Sequence, residues 1–174
     1  YGCNVIYDHG HHGNAILSSF PILRTFNQDV TQLRFERRGM LHCAITIPGW
    51  TRPLHCVCVH LSLFGRSRRK QMEALAEQLE TWLPHDDPLI IAGDFNDWRN
   101  RADNLLLDRL GMTEIFGGIA GLPPKSFPSA LPMFRLDRIY VRGFQIASTT
   151  VHFGPPWSKI SDHAALSAHL LIDA

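Results

Sequence analysis

Leu89-Ile90-Ile91-Ala92-Gly93-Asp94-Phe95-Asn96 is the stretch on which the reading of this chain turns. Leu89 to Gly93 is a short apolar run that reads as a buried strand, and the polar segment Asp94-Phe95-Asn96-Asp97 breaks it. Asp94 and Asn96 are two residues apart, so extended backbone projects both to one side, just beyond the strand that would bury them. Polar groups concentrated where a strand ends, rather than along its middle, point to chemistry at one edge of a sheet.

Upstream, Leu54 to Leu61 is apolar on both faces, with Cys56 and Cys58 on one and Val57, Val59 and Leu61 on the other, and His60 lies at its end. Between these strands, Ser67 to Leu83 carries Met72, Leu75, Ala76, Leu79, Trp82 and Leu83 at spacings of three and four, which predicts an amphipathic helix stopped by Pro84. Its first turn holds Arg68, Arg69 and Lys70, charges that oppose the helix dipole. They read either as a solvated helix start or as a patch facing an anion. Earlier still, Asn4 to Tyr7, Asn14 to Ser18 and Leu41 to Ile47 read as strands, with turns over His9 to Gly13 and Pro48 to Pro53.

Downstream, a helix is predicted from Ala102 to Leu110 with Gly111 as its cap, followed by a long loop rich in Gly and Pro from Gly117 to Pro132. Strands over Arg135 to Val141, Phe144 to Val151 and Ala164 to Ile172 complete the pattern. Strands with helices inserted between them imply an α/β or α+β sandwich. Asp137 shares strand parity with Ile139 and Val141, so its carboxylate falls on an apolar face and needs a partner. His163 could supply one.

The composition fits one globular domain over residues 1–174: 45% hydrophobic residues exclude a disordered or low-complexity chain. Seventeen Lys and Arg against sixteen Asp and Glu leave a net charge of +1, too little for a purely electrostatic nucleic-acid binder. No apolar run is long enough to span a membrane. The first residue is Tyr1, so a leader is neither seen nor excluded. Cys3, Cys43, Cys56 and Cys58 sit in apolar segments without zinc-ribbon spacing, which reads as buried free thiols in a reducing, cytoplasmic setting. Of ten histidines, His9, His11 and His12 could form a metal cluster of a zinc hydrolase. The segment lacks the aspartate and spacing such a cluster needs, and a loop is the plainer reading.

His60, the Asp94/Asn96 pair, Asp137 and the Asp162-His163 pair thus all fall at strand ends. Carboxylates, an amide and imidazoles in that arrangement can direct a water, hold a divalent cation and neutralise a phosphate.

Five segments, in this order, resemble the endonuclease/exonuclease/phosphatase superfamily of DNase I-like proteins: Gly13-Asn14-Ala15-Ile16-Leu17-Ser18, Val59-His60-Leu61, Ile91 to Trp98, Leu136-Asp137-Arg138-Ile139-Tyr140, and Ser161-Asp162-His163. The resemblance implies a four-layer sandwich of two β-sheets flanked by helices, with the site at one end of the sheets. It implies that Asp94 orients or deprotonates the attacking water with Asn96 beside it. His163, paired to Asp137, and His60 would approach the phosphate, and Asp162 would bind magnesium, for which manganese could substitute. The family's Asn and its principal metal-ligating Glu have no counterpart in this chain and are expected upstream of Tyr1, in a strand-helix-strand segment that the chain lacks.

The expected activity is therefore magnesium-dependent phosphoester hydrolysis, most simply of a phosphodiester, by in-line attack of water; a non-catalytic binding domain on the same fold is the alternative. The substrate would be nucleic acid or a phospholipid headgroup. Arg68 and Arg69, with Arg66 and Lys70, could form a basic edge, and Phe127, Leu131, Met133 and Phe134 on the long loop would suit a lipid or an unstacked base equally well.

Overall fold

In the computed structural model the described residues are 1–98, 102–117 and 122–172, with side chains in the second helix from 105 onward. A tight turn at Asp8-His9 joins β1 (Gly2–Tyr7) to β2 (Gly10–Asn14) in an antiparallel hairpin. The predicted strand from Asn14 to Ser18 is therefore displaced toward the N-terminus, and His11 and His12 lie in a strand rather than in a loop. Gly10, at φ 146°, lets the chain leave the turn directly into the second strand.

The main sheet has six strands in the order β3-β4-β5-β6-β8-β7. These are β3 (Ile22–Asp29), β4 (Gly39–Ile45), β5 (Leu54–His60), β6 (Leu89–Asp94), β7 (Thr113–Glu114) and β8 (Asp137–Arg142). β5 and β6 run parallel, joined through helix α1 (Gly65–Trp82), and the other neighbours are antiparallel. β9 (Phe144–His152) and β10 (Ala165–Ile172) form a second hairpin.

Sequence pattern explains each face of the main sheet. Val57, Val59, Leu89, Ile91 and Tyr140 point to one side, where Met72, Leu75, Ala76 and Leu79 of α1 and Leu106 and Leu110 of α2 (Ala102–Leu110) bury them. Each fully buried side chain of this size stabilises the fold by about 1.5–3 kcal/mol before chain entropy is counted. On the opposite face Leu41, Cys43 and Ile45 are buried, with Ile16, Leu54, Cys56 and Cys58 packed against them. The first hairpin is tied to this side, since Asn14 Nδ2 donates to the carbonyls of Gly39 and Cys58 and Asn27 Nδ2 donates to that of Cys3. The α+β sandwich expected from the sequence is thus present. Among the described residues the helices cover one face of the six-stranded sheet and the first hairpin is tied to the other.

β3 and the exposure of Cys3 depart from expectation. β3 was not foreseen because almost every side chain in it is exposed, which leaves no alternation to detect. Cys3 is likewise exposed rather than buried, while the other three thiols are buried or half-buried. Desolvation pushes the Cys56 thiol up to about 11, so that thiol is inert near neutrality.

Candidate active site

The strand register assembles the centre. His60, the last residue of β5, lies opposite Asp94 at the end of β6, and Asp94 lies opposite Asp137 at the start of β8. Side chains directly opposite one another share a face, so one imidazole and two carboxylates form a row across three adjacent strands. Close approach of β5 and β6 is possible at this point because the residue before Asp94 is Gly93. Its φ is 143°, and a Cβ there would stand 1.9 Å from the carbonyl oxygen of Val59.

Asn96 takes the left-handed conformation, φ 50°, that turns the chain out of β6. Its backbone N–H donates to Asp94 Oδ1 at 2.8 Å, while its Nδ2 donates to Asp94 Oδ2 at 3.1 Å and to the Leu61 carbonyl at 3.0 Å. Asn96 is only 2% exposed, and both amide hydrogens are engaged within the protein. It therefore acts as a positioning residue that aims the Asp94 carboxylate. His60 Nε2 stands 3.5 Å from Asp94 Oδ2.

The fourth member arrives from the loop before β10. His163 Nδ1 donates to Asp137 Oδ2 at 2.7 Å, and the Phe127 ring packs against the imidazole with centroids 5.0 Å apart. The loop is fixed from the side: the Ser129 N–H donates to the Asp162 carbonyl at 2.7 Å and the Ser129 hydroxyl donates to that of Ser161. Asp162 itself is exposed.

Electrostatics separate the roles. Burial, with a further push from Asp137, raises the Asp94 carboxyl to about 6. His60 is lowered to about 4, chiefly by desolvation and then by Arg38, His12 and His163, so it is neutral at physiological pH. His163 moves the other way because the hydrogen bond to Asp137 favours its charged form.

Two contributors escaped the sequence reading. Glu36 accepts from the Ser62 hydroxyl and the Leu63 N–H and pairs with Arg38 at 3.1 Å, while Arg38 Nε donates to the Leu61 carbonyl at 3.2 Å. Together they clamp the segment following His60. The one available signal is the charged run Glu36-Arg37-Arg38 immediately before the buried strand β4. The basic pair at the start of α1 divides. Arg68 is buried, donating from Nη1 to the carbonyls of Ser62 and Leu63 and lying 3.7 Å from Asp97 and 5.6 Å from the Trp98 ring. Arg69 is exposed and pairs with Glu73 one turn along the helix. Arg68 is thus not part of a solvated helix start.

The donor set suits a divalent cation only in part. A hard cation takes several oxygens, yet Asp137 is engaged by His163 and Asp94 by Asn96, which leaves Asp162 as the open carboxylate. Among the described residues no group of three or more His, Cys, Asp or Glu side chains is gathered to hold a metal ion, His11 and His12 included. His12 instead lays its ring edge against His60, centroids 5.5 Å apart.

A model of the Endonuclease/Exonuclease/phosphatase family matches residues 1–163. An uncharacterized protein, YbhP, of Escherichia coli K12 is 43% identical over 170 residues, covering 98% of this chain and 67% of that protein. Among solved structures, an endonuclease/exonuclease/phosphatase from Beutenbergia cavernae superposes with a TM-score of 0.73 at 15% identity, over 98% of this chain and 52% of that one. A mannosyl-6-phosphatase from Bacteroides thetaiotaomicron superposes with a TM-score of 0.67 at 14% identity, over 88% and 67%. No helix among the described residues is long and apolar enough to cross a membrane.

Proposed function

The chain belongs to the endonuclease/exonuclease/phosphatase family, and on that basis we propose that it is a magnesium-dependent phosphoesterase acting on a phosphodiester by in-line attack of water. The observation that carries this reading is the row His60, Asp94, Asp137 across β5, β6 and β8, completed by the hydrogen bond from His163. The family's members are phosphoesterases, among them the phosphatase it resembles in fold.

Phosphoryl transfer needs positioning and charge neutralisation more than covalent help from the protein. Asp94, raised to about 6, is ionised at neutral pH yet basic enough to take a proton from water. Asn96 holds both of its oxygens in place. His163, whose charged form the hydrogen bond to Asp137 at Nδ1 favours, has Nε2 left to donate to a phosphate oxygen. His60, neutral at Asp94's side, provides a second imidazole on the approach to the phosphate. Magnesium, when bound, supplies cationic charge for the phosphate. We assign Asp162, the exposed carboxylate beside His163, as its ligand in this chain.

The test is turnover of bis-nitrophenyl phosphate by the native full-length polypeptide with magnesium, alongside Asp94→Ala and His163→Ala. Each substitution should lower turnover by about 100-fold or more, by analogy with removal of one preorganised donor. Variants that keep the native rate overturn the assignment.

A further inference from the structure

Beside the centre lies a cavity of about 580 Å³, a volume in the range of sites for small organic ligands. Its lining is mostly apolar, with Leu122, Pro123, Leu131, Pro132, Val151 and Phe153; Thr149 adds a hydroxyl, Lys125 and Arg135 bring cationic charge to it, and among the described residues no carboxylate lines it. The cavity and the centre share a wall. Phe127 and Phe134 pair across a short ladder, with the Phe134 N–H donating to the Phe127 carbonyl at 2.8 Å. From this one segment Phe127 packs on His163, while Leu131 and Pro132 face the cavity. Phe153 and Leu131 are 55% and 69% exposed, so the apolar surface reaches outward to where a ligand enters.

Resting on the phosphoesterase reading, we propose that this cavity seats the apolar tail of an amphiphilic phosphoester, a single-chain or two-chain phospholipid, whose phosphate lies at His163. Aliphatic and proline walls bury methylenes without leaving polar atoms unpaired. Among the described lining residues only Thr149, Lys125 and Arg135 could bond a nucleobase's ring edges, so a base placed there would forfeit part of its hydrogen bonding. Lys125 and Arg135 complement an anionic headgroup.

Binding is measured by calorimetry on the native full-length protein in EDTA, where hydrolysis does not intervene, using lysophosphatidylglycerols with acyl chains from hexanoyl to dodecanoyl, each below its micelle threshold. Affinity should tighten about tenfold for every two added methylenes until the cavity is filled. Leu131→Asp and Phe153→Asp, both at exposed positions, should weaken the dodecanoyl ligand at least about tenfold. Affinity independent of chain length, or substitutions that leave lipid binding unchanged, overturn the proposal, as does a single-stranded oligonucleotide that displaces the lipid and loses affinity in the same variants. Chain-length-dependent binding without any hydrolysis of bis-nitrophenyl phosphate would leave the tail site standing and the phosphoesterase reading fallen.

Discussion

Asp137 and His163 are 26 residues apart in the chain, and Oδ2 of the first accepts a 2.7 Å hydrogen bond from Nδ1 of the second. The bond joins the edge of β8 to the loop before β10, and so ties the main sheet to the second hairpin at the site. Because it raises the His163 pKa, it contributes stability that is present below the unfolded histidine value and is lost as pH rises through the folded one.

Asp137→Asn should therefore lower the His163 pKa, remove this part of the pH dependence of stability, and reduce phosphoester turnover by about 100-fold. NMR titration of the imidazole together with turnover checks it. An unchanged His163 titration would show that Asp137 does not hold its charge.

Asp94 has its pKa shifted in the same direction, by burial rather than by an opposite charge. Its folded pKa of about 6 lies above the ordinary carboxylate value, so the fold is favoured at low pH and pays for the charge as pH rises from about 4 through 6. In metal-free buffer, Asp94→Asn should raise unfolding stability at pH 7 by about 1–2 kcal/mol, and that gain should vanish near pH 4. Urea denaturation at the two pH values measures it, and loss of activity should accompany the gain.

Far from the centre, His42 and His55 stack and share a 2.9 Å hydrogen bond, and His55 continues to Asp87 at 3.3 Å, with Arg52 and the Trp82 ring alongside. Desolvation lowers His42 to about 4. The unfolded chain then binds more protons than the folded one between about 4 and 6.5, and His42 should cost the fold about 1–2 kcal/mol on going from pH 7 to pH 5. His42→Gln should flatten that part of the stability profile, as followed by thermal unfolding across the pH range.

Arg68 and Arg69 should behave differently despite being adjacent. Arg68→Ala strands the Ser62 and Leu63 carbonyls and should cost about 2–4 kcal/mol of stability. Arg69→Ala removes only an exposed pair with Glu73 and should change stability by less than about 0.5 kcal/mol. Chemical denaturation separates them, and equal losses would contradict the burial of Arg68.

Much of the site could be read locally. A strand that ends in aspartate places that side chain at its own edge, and the parity of Asp137 with Ile139 needs only the alternation of a strand; Asn96 instead reaches Asp94 through a left-handed turn that extended spacing does not predict. The buried faces of β5 and α1 follow in the same way from periods of two and 3.6. β3, with its side chains in solvent, left no such imprint, and neither did the short β7.

Sequence alone therefore determined which residues stand at strand ends and which faces are apolar, because backbone geometry enforces those relations between near neighbours. Only the tertiary structure decided that β5 lies beside β6 in the register that sets His60 against Asp94, that Arg68 turns inward, and that Glu36 and Arg38 brace the segment after His60. These relations join residues far apart in the chain. They depend on strand order, on which buried groups can satisfy one another's hydrogen bonds and on how much water each loses, and no local pattern encodes them.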